Sequence, residues 1–231
     1  TAGINRLHDH ILVEIFSLTS LLPFTPLSPT TWNGTAASTP PSMSSLEWVG
    51  LRLVCRSWRE LADDTPSLWR VVTVKNDLDA MRFQLVKNAN CSIDVVLASD
   101  ADSNLRGLKL LTANAKRIRS VSTREGFQCK HLPSIKPLFK EPMPLLERVE
   151  IALGLNVLFA NEEYDPDIGL TTFPHPHLRH VRSCGIALPP SPPFWSNVRT
   201  VDVDLKLDPS EQHPADHLLT ILALTPRLTT L

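Results

Sequence analysis

One stretch constrains this chain more than any other: Leu51 to Trp69, which reads LRLVCRSWRELADDTPSLW. Wound at 3.6 residues per turn, Leu51, Val54, Cys55, Trp58, Leu61 and Ala62 fall on one apolar stripe, which predicts a single amphipathic helix here. Arg52, Arg56, Arg59 and Glu60 occupy the opposite flank, with Arg56 and Glu60 one turn apart. Thr65-Pro66 ends the helix, because the residue before a proline avoids the αR region. Leu53 breaks the division. An apolar side chain among polar ones, beside a stripe that holds Trp and Cys, points to a second buried surface.

A shorter apolar segment lies upstream. From His8 to about Leu18 the spacing predicts a helix with Leu7, Ile11 and Ile15 on one line and Leu12 and Phe16 on the adjoining line. A single short helix is marginal in water, so both lines need cover, from the Leu51 segment, from a partner protein, or from both. Between the two segments, Ser17 to Leu46 carries no charge and five prolines, a composition that predicts a mobile, irregular connection.

These residues carry a family resemblance. Val54-Cys55-Arg56-Ser57-Trp58-Arg59-Glu60-Leu61-Ala62 followed by Pro66-Ser67-Leu68-Trp69 resembles the second half of an F-box. Leu7-His8-Asp9-His10-Ile11-Leu12-Val13-Glu14-Ile15-Phe16 resembles that family's opening helix, Leu-Pro-x-Glu-Ile-Leu-x-x-Ile-Phe. His8 stands where the family has proline and His10 where it has glutamate, which removes the preset φ of the first turn and weakens one contact to the family's partner. Asp9 supplies an acid in that turn. The resemblance implies binding to a Skp-type adaptor, and through it to a cullin, by Leu7, Ile11, Leu12, Ile15, Val54, Cys55, Trp58, Leu68 and Trp69, and Leu53, apolar on the polar flank, joins them as an expected contact on its own pattern. Trp58 and Trp69 read equally well as core aromatics, and it is the resemblance that turns them toward a partner.

After Trp69 the pattern alternates. Val71 to Val74, Ile93 to Leu97 and Ile118 to Thr123 read as strands, while Asp77 to Asn88, Leu105 to Ala115 and Leu132 to Phe139 read as helices. Ile118, Leu146, Leu178, Val198 and Leu228 each open an apolar-x-x-apolar phrase, and these starts lie 28, 32, 20 and 30 residues apart. Pro144, Pro176 and Pro226 precede three of them and block a preceding helix. This part resembles an irregular leucine-rich-repeat array of the kind carried by F-box proteins of fungal type, in which each unit gives one strand to a parallel sheet. The expected architecture is therefore α/β: a helical F-box over 1–70 with an insertion at 17–46, then a leucine-rich-repeat solenoid with a parallel sheet over 71–231. Gly154 to Thr172, with its acidic residues, reads as a surface loop. Pro214 to Leu224 reads as a helix, and Leu228 to Leu231 as the opening of a further repeat, so the array is expected to be truncated.

Composition narrows the function. A formal charge of -1 leaves no broad basic field for nucleic acid or an anionic membrane, and no apolar run approaches a membrane span. Cysteines 55, 91, 129 and 184 show no CxxC spacing and read as reduced intracellular thiols. His175, His177 and His180 resemble a metal cluster in composition, but a strand would send His177 and His180 to opposite faces. His213 and His217 lack the zinc-protease context, and Ser183-Cys184-Gly185 lacks a nucleophile elbow. No phosphate loop or dinucleotide fingerprint is present, so the chain is read as a non-catalytic protein without cofactor or metal. The resemblance implies the substrate-recognition subunit of a Skp-cullin-F-box ubiquitin ligase, cytoplasmic or nuclear, with an unknown protein substrate on the repeats. The alternative is an F-box/leucine-rich-repeat scaffold acting outside any ligase.

Overall fold

The computed structural model describes residues 8–21, 47–74, 77–98, 105–123, 127, 131–153, 170, 173–184, 191–204 and 214–230. The chain divides into two compact units: Thr1–Val72 with Gln84–Cys91, and Thr73–Phe83 with Ser92–Leu231.

In the first unit, helix α1 spans Asp9–Leu21 and starts from His8, whose carbonyl accepts the Ile11 and Leu12 amides at 2.9 and 3.2 Å. It runs three residues beyond the expected end at Leu18, stopping two residues short of Pro23, the first residue able to break it. The rest of the expected mobile connection, residues 22–46, lies outside the described residues.

The single helix expected over Leu51 to Ala62 is broken in two. A 3-10 turn covers Glu47–Leu53, Cys55 is extended at φ -159° and ψ 170°, and helix α2 covers Arg56–Asp63. The reason lies in Arg52. Its guanidinium reaches the Asp63 carboxylate at 2.8 Å and lies 5.4 Å from the centre of the Trp69 ring. On one straight helix, residues eleven apart would be separated by about 16 Å along the axis, so that contact requires the chain to turn at Cys55. The break also removes a like-charged Arg52/Arg56 pair one turn apart. As expected, α2 ends before Thr65-Pro66, and Pro66–Trp69 forms a second 3-10 turn with the proline at its start.

Leu12, Phe16, Trp58, Ala62, Leu68 and Trp69 form the core of this unit. Phe16 meets Trp58 edge to face with ring centres 5.1 Å apart, a favoured aromatic geometry. Trp69 donates its indole N–H to the Ala62 carbonyl at 2.9 Å. Residues 84–91 join this unit, beyond the boundary expected after residue 70, because their polar side chains satisfy its backbone. Asn88 donates to the Trp69 carbonyl at 2.9 Å, Gln84 to the Val71 carbonyl at 3.1 Å, and Lys87 pairs with Asp63 at 3.3 Å.

The remaining elements are β1 (Val71–Val74), α3 (Leu78–Lys87), β2 (Ile93–Leu97), α4 (Leu105–Ala113), β3 (Ile118–Thr123), α5 (Leu132–Phe139), β4 (Arg148–Ala152), β5 (His180–Cys184), α6 (Pro192–Trp195), β6 (Thr200–Asp204) and α7 (Pro214–Leu224). The six strands form one sheet in chain order, and β2 through β6 pair in parallel. Parallel neighbours need a long crossover, and among the described residues α4, α5 and α6 lie in those between β2 and β3, β3 and β4, and β5 and β6. Val95, Val121, Val149, Val181 and Val201 lie in register across β2 to β6 and are all buried, forming one apolar rung of the core.

The apolar-x-x-apolar phrases enter their strands through one repeated turn. The amides of Leu146, Leu178, Val198 and Leu228 each bond the carbonyl three residues back, at 3.1, 3.1, 3.2 and 3.1 Å. In three of these turns the next two amides then share the carbonyl of the residue just before the preceding strand: Arg179 and His180 on Glu147, Arg199 and Thr200 on Arg179, Thr229 and Thr230 on Arg199. Thr230 bridges Thr200 in parallel, in the place expected for the opening of a further repeat, and Leu231 lies outside the described residues. Helix α6 was not legible from periodicity, being four residues with two prolines.

Candidate functional site

Helix α1 carries two apolar lines with opposite fates. Leu12 and Phe16 are buried against α2 and the Pro66–Trp69 turn. On the other line Ile11 and Ile15 are each 38 % exposed and Leu18 61 %. The 3-10 turn packed on α1 adds Leu53 at 79 % and, next to it, Val54 at 55 %. Five aliphatic side chains on adjoining elements of one small unit thus stand in water, where isolated exposed aliphatics are ordinary but a cluster marks an interaction surface.

The ten sequence-derived contact residues separate accordingly. Ile11, Ile15, Leu53 and Val54 are on the surface and Cys55 is half-buried. Leu12, Trp58, Leu68 and Trp69 are buried core side chains of the first unit. The resemblance marked these positions, while their burial follows from Phe16 and Ala62 closing over the two indoles. Val54 departs in the other direction: the stripe placed it inside, and the break at Cys55 turns it out. Leu7 lies outside the described residues.

The frame beneath this surface is tied by charge. Asp63 receives Arg52 and Lys87, and although burial by itself would raise its pKa, the hydrogen bonds and charges of those two cations hold it below the usual carboxylate value. His8 and His10, the two departures from the family pattern, are exposed and stack with ring centres 5.7 Å apart at the start of α1.

The histidines read as a possible cluster occupy three environments. His175 is buried, its Nε2 facing the Leu170 carbonyl at 3.2 Å and its ring edge-on to Phe194. Burial lowers its pKa, with the backbone of Met143 and Leu170 opposing. His177 is exposed, and His180 meets Glu150 at 3.1 Å. Among the described residues no group of three metal-ligating side chains converges, and no helix is long and apolar enough to cross a membrane. His213 lies outside the described residues. Ser183 and Cys184 are buried within β5.

A second array was missed from sequence. In the strand register, Ser122, Glu150, Arg182 and Asp202 form one row and Ser120, Arg148, His180 and Thr200 the row beside it. Arg148 and His180 both pair with Glu150, and Arg182 pairs with Asp202 at 3.0 Å. Burial pushes the Glu150 carboxyl up, but the His180 hydrogen bond and the Arg148 and Arg182 charges outweigh it and hold the pKa below the ordinary value. The signal was present in the polar positions of each apolar-x-x-apolar-x-apolar phrase, which only strand pairing brings together.

The F-box-like family profile matches residues 4–75, the region holding α1, both 3-10 turns and α2. No curated protein and no solved structure matches the chain. The match supports an F-box protein, and F-box domains typically bind Skp-type adaptors of cullin-based ubiquitin ligases.

Proposed function

We propose that this chain is a substrate-recognition subunit of a Skp-cullin-F-box ubiquitin ligase. The observation that carries the reading is the exposed line Ile11, Ile15 and Leu18 on α1, with Leu53 and Val54 exposed at the end of the 3-10 turn that packs on it, within the F-box-like region. Covering five aliphatic side chains on a rigid two-helix frame would provide the desolvated centre that protein interfaces require. The second unit then serves as the substrate-bearing part. Its in-order parallel sheet and recurring strand-entry turn support a degenerate leucine-rich-repeat solenoid, whose stacked strands offer a long surface to a protein ligand. On this reading the chain performs no chemistry. Holding substrate lysines beside a charged ubiquitin-conjugating enzyme raises their effective concentration, and the gain is set by geometry. Such a ligase subunit works in the cytoplasm or nucleus.

The test is adaptor binding by purified protein. Ile15→Ala and Leu53→Ala should each weaken affinity for a Skp-type adaptor by roughly tenfold, about 1.4 kcal/mol, with circular dichroism unchanged. Unchanged affinity in these folded variants removes the surface assignment. Adaptor binding without cullin co-purification favours the scaffold acting outside a ligase.

A further inference from the structure

The ion pairs on the sheet are internal, and the cations beside them are left over. Arg119 closes on Asp94 at 2.8 Å, Arg148 and His180 on Glu150, and Arg182 on Asp202. The repeated strand-entry turn places Arg119, Glu147, Arg179, Arg199 and Thr229 at equivalent positions, each linked to the next through the carbonyl of its predecessor. Arg179 and Arg199 are therefore immediate neighbours, the Arg199 amide bonding the Arg179 carbonyl at 2.8 Å. Both are exposed, and neither has a carboxylate partner among the described residues. On the next turn, exposed Arg227 donates to the Asn197 side-chain oxygen at 2.9 Å, a neutral partner, and has no carboxylate partner among the described residues. Glu147 is the acid at the β4 end of this line.

We propose that Arg179, Arg199 and Arg227 form a docking edge for an aspartate- or glutamate-rich extended segment of a partner protein. The proposal rests on the substrate-receptor reading, whose substrate class it names. Two like charges on adjacent strands, about 4.8 Å apart at the backbone, repel one another and cost stability unless an anion is shared between them. Carboxylates on alternate residues of an extended chain recur about every 6.7 Å, close enough for flexible arginine side chains to match them one for one, and the guanidinium fork suits a carboxylate. Arg179 and Arg199 hold equivalent positions on successive turns and Arg227 stands two residues before the next one, so the three suit spaced single charges better than one compact dianion. Nucleic acid is disfavoured by the short length of the line, by Glu147 at its end and by the chain's formal charge of -1.

The experiment uses the full chain and a fluorescein-labelled eight-residue peptide of alternating glutamate and serine, read by anisotropy at low ionic strength. Binding should weaken as salt rises, fall at least tenfold in R179E/R199E, and change less than twofold in K109E/K140E, the same charge change at exposed lysines elsewhere. R179Q/R199Q, which removes the charges without reversing them, should also lose most of the affinity and stands in if the reversal variant unfolds. No binding by the wild-type chain, equal binding of a glutamine-for-glutamate peptide, or equal loss in K109E/K140E overturns the proposal. So does tighter binding of an octathymidine or of a phosphoserine version of the peptide. Adaptor affinity is measured on the same variants. Peptide binding lost with adaptor binding kept is the expected result, whereas a wild-type chain that binds peptide but no adaptor sinks the ligase reading and leaves the edge standing.

Discussion

Trp58 is a core side chain whose indole nitrogen is buried without a hydrogen-bond partner among the described residues, unlike Trp69, which donates to Ala62. The ring is held by shape and by its edge contact with Phe16. Trp58→Ala should therefore cost about 3–5 kcal/mol in denaturant unfolding, while Trp58→Phe, which loses no hydrogen bond, should cost far less. Equal losses in the two variants would mean that the indole N–H has a partner of its own. Leu53 is the contrasting residue. At 79 % exposure its removal should leave stability within about 0.5 kcal/mol, so any effect of Leu53→Ala on binding is an effect on the surface itself.

Between β4 and β5 the buried His175 sets a pH dependence for the elements that surround it. Burial depresses its pKa in the fold, so below its ordinary value of about 6.5 the unfolded chain takes up a proton that the folded chain refuses. Stability should fall as pH drops through that value toward the depressed one, and the slope should be smaller in His175→Phe. A slope unchanged by the substitution would assign it to another group. Glu150 acts lower on the scale: its contribution is present above the ordinary glutamate value and lost as pH falls through the depressed one. At this scale the sequence was informative where periodicity alone decides structure. Ile93–Leu97, Ile118–Thr123 and Leu132–Phe139 form the expected strand, strand and helix between the expected residues, their apolar positions recurring at short spacing between polar ones. It misled where a long-range contact overrides local pattern. The stripe from Leu51 to Ala62 fits one helix on paper, and only the reach of Arg52 to Asp63 and Trp69 shows why the chain turns at Cys55. The exposed line on α1 was half legible: periodicity gave two apolar lines needing cover, but which one Trp58 would take is a matter of packing.

At the scale of the molecule, the first unit includes residues from beyond the first strand, and Asn88 is the link that accounts for it. Its side chain is fully buried and donates to the carbonyl of Trp69, the last residue of a 3-10 turn. Gln84 does the same for Val71, and Lys87 completes the Asp63 pair with Arg52. A boundary drawn after residue 70 would cut all three. Asn88→Ala in the full chain removes this buried hydrogen bond, a loss of about 1–3 kcal/mol. Its effect should appear across the sequence: amide exchange should accelerate in α2 and in Pro66–Trp69, some twenty residues upstream, as well as in α3. If faster exchange stays within residues 78–91 and α2 keeps its protection, the segment is not part of the first unit's cooperative structure. The F-box-like region would then stand on the elements before β1 alone.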